Sequence, residues 1–525
     1  MSREEREIRS WSETFKAWLH PGAIAMLFLG FAAGIPILLI FSTLSVWLIE
    51  AGVERSAVTF FSWAALGYSF KFLWAPIVDL MPLPVLTRVL GRRRAWLLVA
   101  QLLIITAILT MASLDPAESG QNLTFMALAA VLLGFSSATQ DIVIDAYRIE
   151  RGEVHLQALF ASMYIAGYRM GMLVAGAGSL FLADYLAGGK TGYSYPVWRE
   201  TYMIMAAVMG CGIVTTLCIR EPLPSNAVIR HIHTALEYLR FLSIFLLTMA
   251  AFTLTFFYSG SGFSEIIRQY LPISTEAGTL EGFLIEMVRF FTAVGVASAI
   301  AWITVVTGLA DKKMVSHAYI APVKDFFVRY GGKTAVLVLL LVGFYRLSDI
   351  VLGIVSNVFY IDMGFSKTAI AGITKTFGLG MTLVGGFLGG VLTLRFGVQK
   401  ILFLGAFLSA ATNLLFMLLA GAGADITLLT VVIGADNLSA GIATTAFIAF
   451  LSSLTSVSFT AVQYAIFSSM MTMFPKVIGG YSGTMVSTFG YENFFMITAL
   501  MGIPVLFLIL IVRKMPAFSY ARDNG

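Results

Sequence analysis

Apolar runs of about twenty residues or more follow one another along nearly the whole chain, and they decide what it can fold into. They read as 22–49, 56–79, 95–113, 123–147, 155–186 and 199–219, then 236–259 and 283–309. Six more lie at 334–361, 367–394, 399–420, 425–453, 458–488 and 492–513. A helix rises about 1.5 Å per residue, so roughly twenty residues cross the hydrocarbon core with every backbone amide satisfied internally. Charged residues are 12% of the 525, half of the roughly 25% usual in a soluble domain. The short alternating segments of a β-barrel are absent. The expected fold is an all-α polytopic membrane protein of about fourteen spans, grouped six, two and six.

The basic residues set the expected orientation. Arg3, Arg6, Arg9 and Lys16 precede the first run, and Arg92, Arg93 and Arg94 lie between the second and third. Arg148 and Arg151 follow the fourth, Arg220 and Arg230 the sixth, and Lys312, Lys313, Lys324, Arg329 and Lys333 precede the last six. All fall on one side, which the positive-inside rule makes cytoplasmic, with both termini there. The loops 114–122 and 187–198 on the other side are poor in Lys and Arg. Residues 1–20 mix acids and bases and carry no cleavable signal; Trp11, Phe15, Trp18 and Leu19 share a helical face, which predicts a short helix on the cytoplasmic surface, with a disordered tail as the alternative. The net charge of +5 points to no nucleic-acid partner. Cys211 and Cys218 lie too far apart on one helix for a disulfide and match no zinc pattern.

The expected organisation is a surface helix (1–20), a six-helix bundle (21–220), a linker with two extra spans and a basic segment (221–333), a second bundle (334–513) and a tail (514–525). Ile49-Glu-Ala-Gly-Val-Glu-Arg-Ser-Ala-Val58 is echoed by Ile361-Asp-Met-Gly-Phe-Ser-Lys-Thr-Ala-Ile370, and Gln157–Met163 by Gln463–Met470. Tandem six-helix halves imply a parallel repeat, with the substrate path between the halves near the midplane. No Walker A loop, His-Glu-x-x-His or Gly-x-Ser-x-Gly motif occurs, so a non-enzymatic transporter is expected. A membrane enzyme using Asp141 and Asp145 is the alternative class.

After the second run, Trp74-Ala-Pro-Ile-Val-Asp79 and then Gly91-Arg-Arg-Arg94 resemble the cytoplasmic loop signature of the major facilitator superfamily, stretched by an insertion with Pro82 and Pro84. In the second half Leu394 stands where the acid would be. The resemblance implies that Asp79, one of Arg92, Arg93 and Arg94, and Asp145 lock the cytoplasmic side. Six further motifs resemble the AmpG muropeptide permeases: Phe72-Leu-Trp-Ala-Pro76, Ser137–Tyr147, Gly167-Tyr-Arg-Met-Gly171, Tyr345-Arg-Leu-Ser-Asp349, Lys375-Thr-Phe-Gly-Leu379, and Asp436-Asn437 with Thr444-Thr-Ala-Phe447. Asp436 departs from the Glu expected there. The resemblance runs from about residue 25 to 510, with the central hairpin least characteristic.

It implies two major-facilitator halves with two extra central helices, in the bacterial inner membrane. It also implies proton-coupled import of N-acetylglucosaminyl-1,6-anhydro-N-acetylmuramyl peptides from periplasm to cytoplasm, or of another bulky anion such as an acyl-CoA or oligosaccharide. No cofactor is expected beyond the proton gradient, and no partner beyond substrate and membrane lipid; the chain is expected to be monomeric.

A substrate with several carboxylates and two sugars needs fixed cations and hydrogen-bonding groups. Cations inside the spans are Lys71, Arg169, Arg346 and Lys375, and Gln140, Tyr168, Asn357 and Asn437 could meet sugar hydroxyls or amides. Interhelical ion pairing is the alternative for each, above all for Arg346 with Asp349, three residues on; Lys71 could instead snorkel. Asp141 and Asp145 lie one turn apart on one helix face, and a carboxylate at the bilayer centre costs roughly 2.5–3.5 kcal/mol. Asp145, close to Arg148 and the interface, is expected at the gate. Asp141, a turn deeper, is the first candidate for the coupling proton, with Asp349 a second. Pro36 is expected to kink the first span.

Overall fold

The computed structural model describes residues 17–54, 61, 66–152, 156–189, 192–222, 235–270, 280–309, 311–366 and 369–516, and all regular elements among them are helices. Thirteen are long and apolar enough to cross a membrane. The expected run 56–79 falls partly outside the described residues. Its described part is two short helices, Leu66–Phe70 and Ala75–Leu80, joined by a 3-10 turn at Lys71–Leu73. In chain order the spans are α1 (Pro21–Glu50), α2 (66–80), α3 (Arg92–Ala112), α4 (Gly120–Arg151), α5 (Gln157–Ala187) and α6 (Tyr195–Cys218). The central pair is α7 (Ala235–Tyr270) and α8 (Leu280–Val306). The second six are α9 (Gly332–Asp362), α10 (Gly372–Phe396), α11 (Val398–Ala422), α12 (Ile426–Leu454), α13 (Thr460–Gly479) and α14 (Ser482–Arg513).

Helix starts follow local chemistry. Pro21 opens α1 behind His20, whose Nδ1 accepts from Gly22 N at 3.1 Å. Ser119 and Asp425 cap α4 and α12 by accepting from Asn122 N and Leu428 N. α1 is continuous through Pro36 and breaks at Phe41, five residues later than the expected kink. α2 breaks where Pro76 removes the amide that would bond residue 72.

α1–α6 and α9–α14 form two bundles side by side. α1 and α5 pack at backbone distance: a Cβ on Gly30 would lie 2.2 Å from the Tyr164 carbonyl oxygen, and one on Gly167 1.9 Å from that of Leu27. α10 and α12 repeat this in the second bundle, where a Cβ on Gly385 would lie 2.2 Å from the Leu438 carbonyl oxygen. Small residues permit such approaches between membrane helices. The bundles meet mainly at the end that carries Arg92–Arg94 and Arg148, the basic end, where Ala161 and Ile165 of α5 pack on Ile448 of α12. The α7–α8 pair leans on α2, with Phe252 and Phe290 flanking Phe70. Of the expected surface helix, residues 1–16 lie outside the described residues; the Trp18 ring packs 4.4 Å from that of Phe387.

Candidate functional site

At the basic end, α2, α3 and α4 converge on Arg93, which is fully buried. Its guanidinium donates to Asp79 Oδ1 at 2.7 Å and to both oxygens of Glu150, at 2.5 and 3.0 Å. Arg92 donates to the Asp79 carbonyl at 2.5 Å. The positive φ of Gly91 (88°), open to glycine without strain, turns the chain into α3. The first amides of that helix then meet an anion: Glu221 accepts from Arg93 N and Arg94 N at 2.8 and 3.0 Å. Arg94 points the other way and caps α6 through the Thr216 and Leu217 carbonyls.

The same carboxylates reach into the second bundle. Asp79 Oδ2 accepts from Val462 N at the start of α13 at 3.1 Å, and Glu150 Oε1 accepts from Thr460 Oγ1 at 2.9 Å. Arg148 donates to Ser452 Oγ of α12 at 3.0 Å and stacks its guanidinium over the Tyr464 ring of α13, 5.1 Å from the centroid. These contacts latch the two halves together at one end.

Deeper in the first half is a compact charged group. Lys71, at the break in α2, lies 3.5 Å from Asp145 Oδ2, and Arg148 lies 3.1 Å from Asp145 Oδ1. Asp141 accepts from the Tyr164 hydroxyl at 3.3 Å. Asp141 is ten residues from the end of α4, about 15 Å along the helix. Gln140 is fully buried, and neither end of its amide has a partner among the described residues.

The second half holds a cavity of about 290 Å³. Arg346, Asp349, Asn357 and Tyr360 of α9, Lys375 of α10 and Asp436 and Asn437 of α12 line it, with Phe416 of α11 closing one side. Arg346 pairs with Asp349 at 3.4 Å and also donates to Thr444. Lys375 projects from a π-helical stretch, Ile370–Phe377, and donates to Asn357 Oδ1 at 3.0 Å. Wide turns of this kind turn side chains out of the regular ladder and gather at functional sites. Asn437 accepts from Thr382, and Asp436 accepts from the Thr412 hydroxyl at 3.3 Å. From the first half, half-buried Arg169 makes no ion pair among the described residues, and its electrostatic neighbour across the interface is Arg346. Asp436 sits ten residues from the start of α12, at the end away from the latch. Lys375 and Asn357 are exposed, so the cavity opens away from the latched end.

Comparison with known proteins decides the family. Residues 23–186 match the family model described as Acetyl-coenzyme A transporter 1. Over 486 residues the chain is 30% identical to putative transporter AmpG 4 of Rickettsia felis, covering 93% of this chain and 95% of that one. The chain belongs to the AmpG transporter family. The anhydromuropeptide permease of Escherichia coli K12 is 28% identical over 514 residues, 98% of this chain and 84% of its own. A proton:xylose symporter structure matches with a TM-score of 0.56 at 12% identity, covering 96% of both chains. The fucose:proton symporter of E. coli matches at 0.56 and 12%, covering 94% and 99%. These structures give this AmpG chain the major facilitator fold, as the loop signature implied, with α7–α8 inserted between the halves.

Five residues singled out in the sequence of the second half, Arg346, Asp349, Asn357, Lys375 and Asn437, share the one cavity. In the first half Lys71, Asp141, Asp145 and Arg148 form one group, and Tyr168 stands beside Tyr164. Asp145 stays out of the Arg93 cluster; the acid of α4 that Arg93 holds is Glu150, five residues further on. Arg94 serves α6 rather than the junction of the halves. Not singled out were Glu150, Glu221, Tyr164, Ser452, Thr460, Tyr464 and, as a lining residue, Asp436. Only Asp436 carried a sequence signal, its place beside Asn437 in a family motif.

Proposed function

We propose that this AmpG chain imports anhydromuropeptides across the bacterial inner membrane, from periplasm to cytoplasm, by proton symport with alternating access. The observation that carries the reading is the pairing of a latched basic end with a cation-bearing cavity open at the other. With the basic end in the cytoplasm, this is a transporter presenting its site to the periplasm. Lys375, Arg346 and Arg169 supply positive charge for stem-peptide carboxylates. Asn357, Asn437 and the Tyr360 and Phe416 rings supply amide and aromatic surface for sugars. Opening the cytoplasmic side then requires breaking the Asp79, Glu150 and Arg148 contacts to α12 and α13, with Asp141 carrying a proton beside that latch. The name of the E. coli relative, an anhydromuropeptide permease, supports the substrate class.

A second reading, transport of an acyl-CoA, is favoured by the family model that matches the first half. Competition separates the two. Purified protein binding labelled anhydromuropeptide should release it to unlabelled muropeptide and retain it against equimolar acetyl-CoA. Displacement by acetyl-CoA and not by wall fragments would favour the second reading.

A further inference from the structure

The second-half cavity is lined by two cations, Arg346 and Lys375, and two carboxylates, Asp349 and Asp436. Arg346 is committed to Asp349 at 3.4 Å and to Thr444, and Lys375 donates to the Asn357 amide oxygen. Asp436 is left with a hydroxyl, that of Thr412, as its hydrogen-bond donor. The charged and titratable groups that line the cavity with it are Arg346, Asp349 and Tyr360 from α9 and Lys375 from α10; α11 presents Phe416 to the cavity and Thr412 to Asp436, and Arg169 of α5 is an electrostatic neighbour of Arg346. With every group ionised, the four lining charges cancel, and an incoming carboxylate meets an Asp436 carboxylate that makes no ion pair among the described residues and shares the Arg346 charge with Asp349.

We propose that Asp436 is the coupling acid of the substrate cavity: its proton sets the affinity for the anion, so that one proton and one substrate carboxylate enter together. Protonation at Asp436 leaves the lining with one net positive charge and turns a repelling carboxylate into a hydrogen-bond donor. The proton comes from periplasmic water, rides on the Asp436 carboxyl and leaves to cytoplasmic water once the anion has gone. This role is separate from that of Asp141, which lies in the other half, in the charged group behind the latch. The inference rests on the muropeptide reading above.

The test uses full-length protein in lipid nanodiscs with labelled anhydromuropeptide. Wild-type affinity should fall about tenfold per pH unit above the point where the site loses its proton, as linkage to one proton requires. Each ligand bound should then take up about one proton from weakly buffered solution. Asp436→Asn should bind equally well at pH 5.5 and 8.5, as ~pH limits of the titration, with no proton uptake. Asp436→Glu, which keeps an acid, should retain slope and uptake. Slope and uptake that persist in Asp436→Asn would overturn the inference. Wild-type binding that is flat with pH overturns the inference alone. No wild-type binding at any pH overturns the muropeptide reading and the inference with it.

Discussion

Removing the Arg93 guanidinium leaves Asp79 and Glu150 facing each other in a buried site without their cation. Breaking a buried pair in this way costs roughly 3–5 kcal/mol. Arg93→Leu should therefore lower the thermal midpoint of the detergent-solubilised protein by several degrees, and adding Asp79→Asn and Glu150→Gln should recover part of the loss. A variant as stable as wild type would mean that water reaches the cluster. At this scale the sequence was half legible. The acid before a Gly-Arg-Arg-Arg turn marked Asp79 and the arginines, because a capped turn is a local pattern. Choosing between Asp145 and Glu150 needed the register of α4 against α3. Five residues on a helix turn through about 140°, so the two acids point to different neighbours, Asp145 to Lys71 and Arg148, Glu150 to Arg93.

Helices in this protein approach one another where glycine replaces a side chain, and the closest such contact positions Tyr164, Tyr168 and Arg169 on α5. A Cβ on Gly167 would overlap a backbone oxygen of α1, which has no rotamer to move away. Gly167→Val should abolish recovery of monodisperse protein, checked by size-exclusion chromatography. Gly210→Ala, on α6 with open space where a Cβ would go, should leave the elution profile unchanged. Spans were legible as blocks because hydrophobic length is summed over twenty residues. Their irregularities were less so. The turn at Lys71–Leu73 was read as uninterrupted helix, although Pro76 is its chemical cause, and the break in α1 follows Phe41 rather than Pro36. The π-helical stretch that presents Lys375 has no proline to announce it.

Across the whole molecule the latch and the cavity lie at opposite ends, and the direction of transport depends on which end faces the cytoplasm. In a Cys211→Ser, Cys218→Ser background, Ala117→Cys lies in an exposed turn at the cavity end and Arg88→Cys on an exposed helix at the latch end. A membrane-impermeant maleimide added to spheroplasts should label the first and spare the second; the reverse pattern would invert the orientation. The bundles, the inserted pair and the charge asymmetry could all be read from the chain, since each is a property of long segments. The cavity could not, because it is made by the relative placement of α9, α10, α11 and α12, which brings Asp436 into one lining with Asp349 and Lys375.

Proton-driven import is tested most directly in proteoliposomes loaded with alkaline buffer. Acidifying the outside should drive labelled anhydromuropeptide to a concentration above that of the bath, and a protonophore should collapse it to equilibrium. Asp141→Asn should exchange labelled for unlabelled substrate without accumulating it. Accumulation that survives the protonophore, or full uphill uptake by Asp141→Asn, would contradict the account.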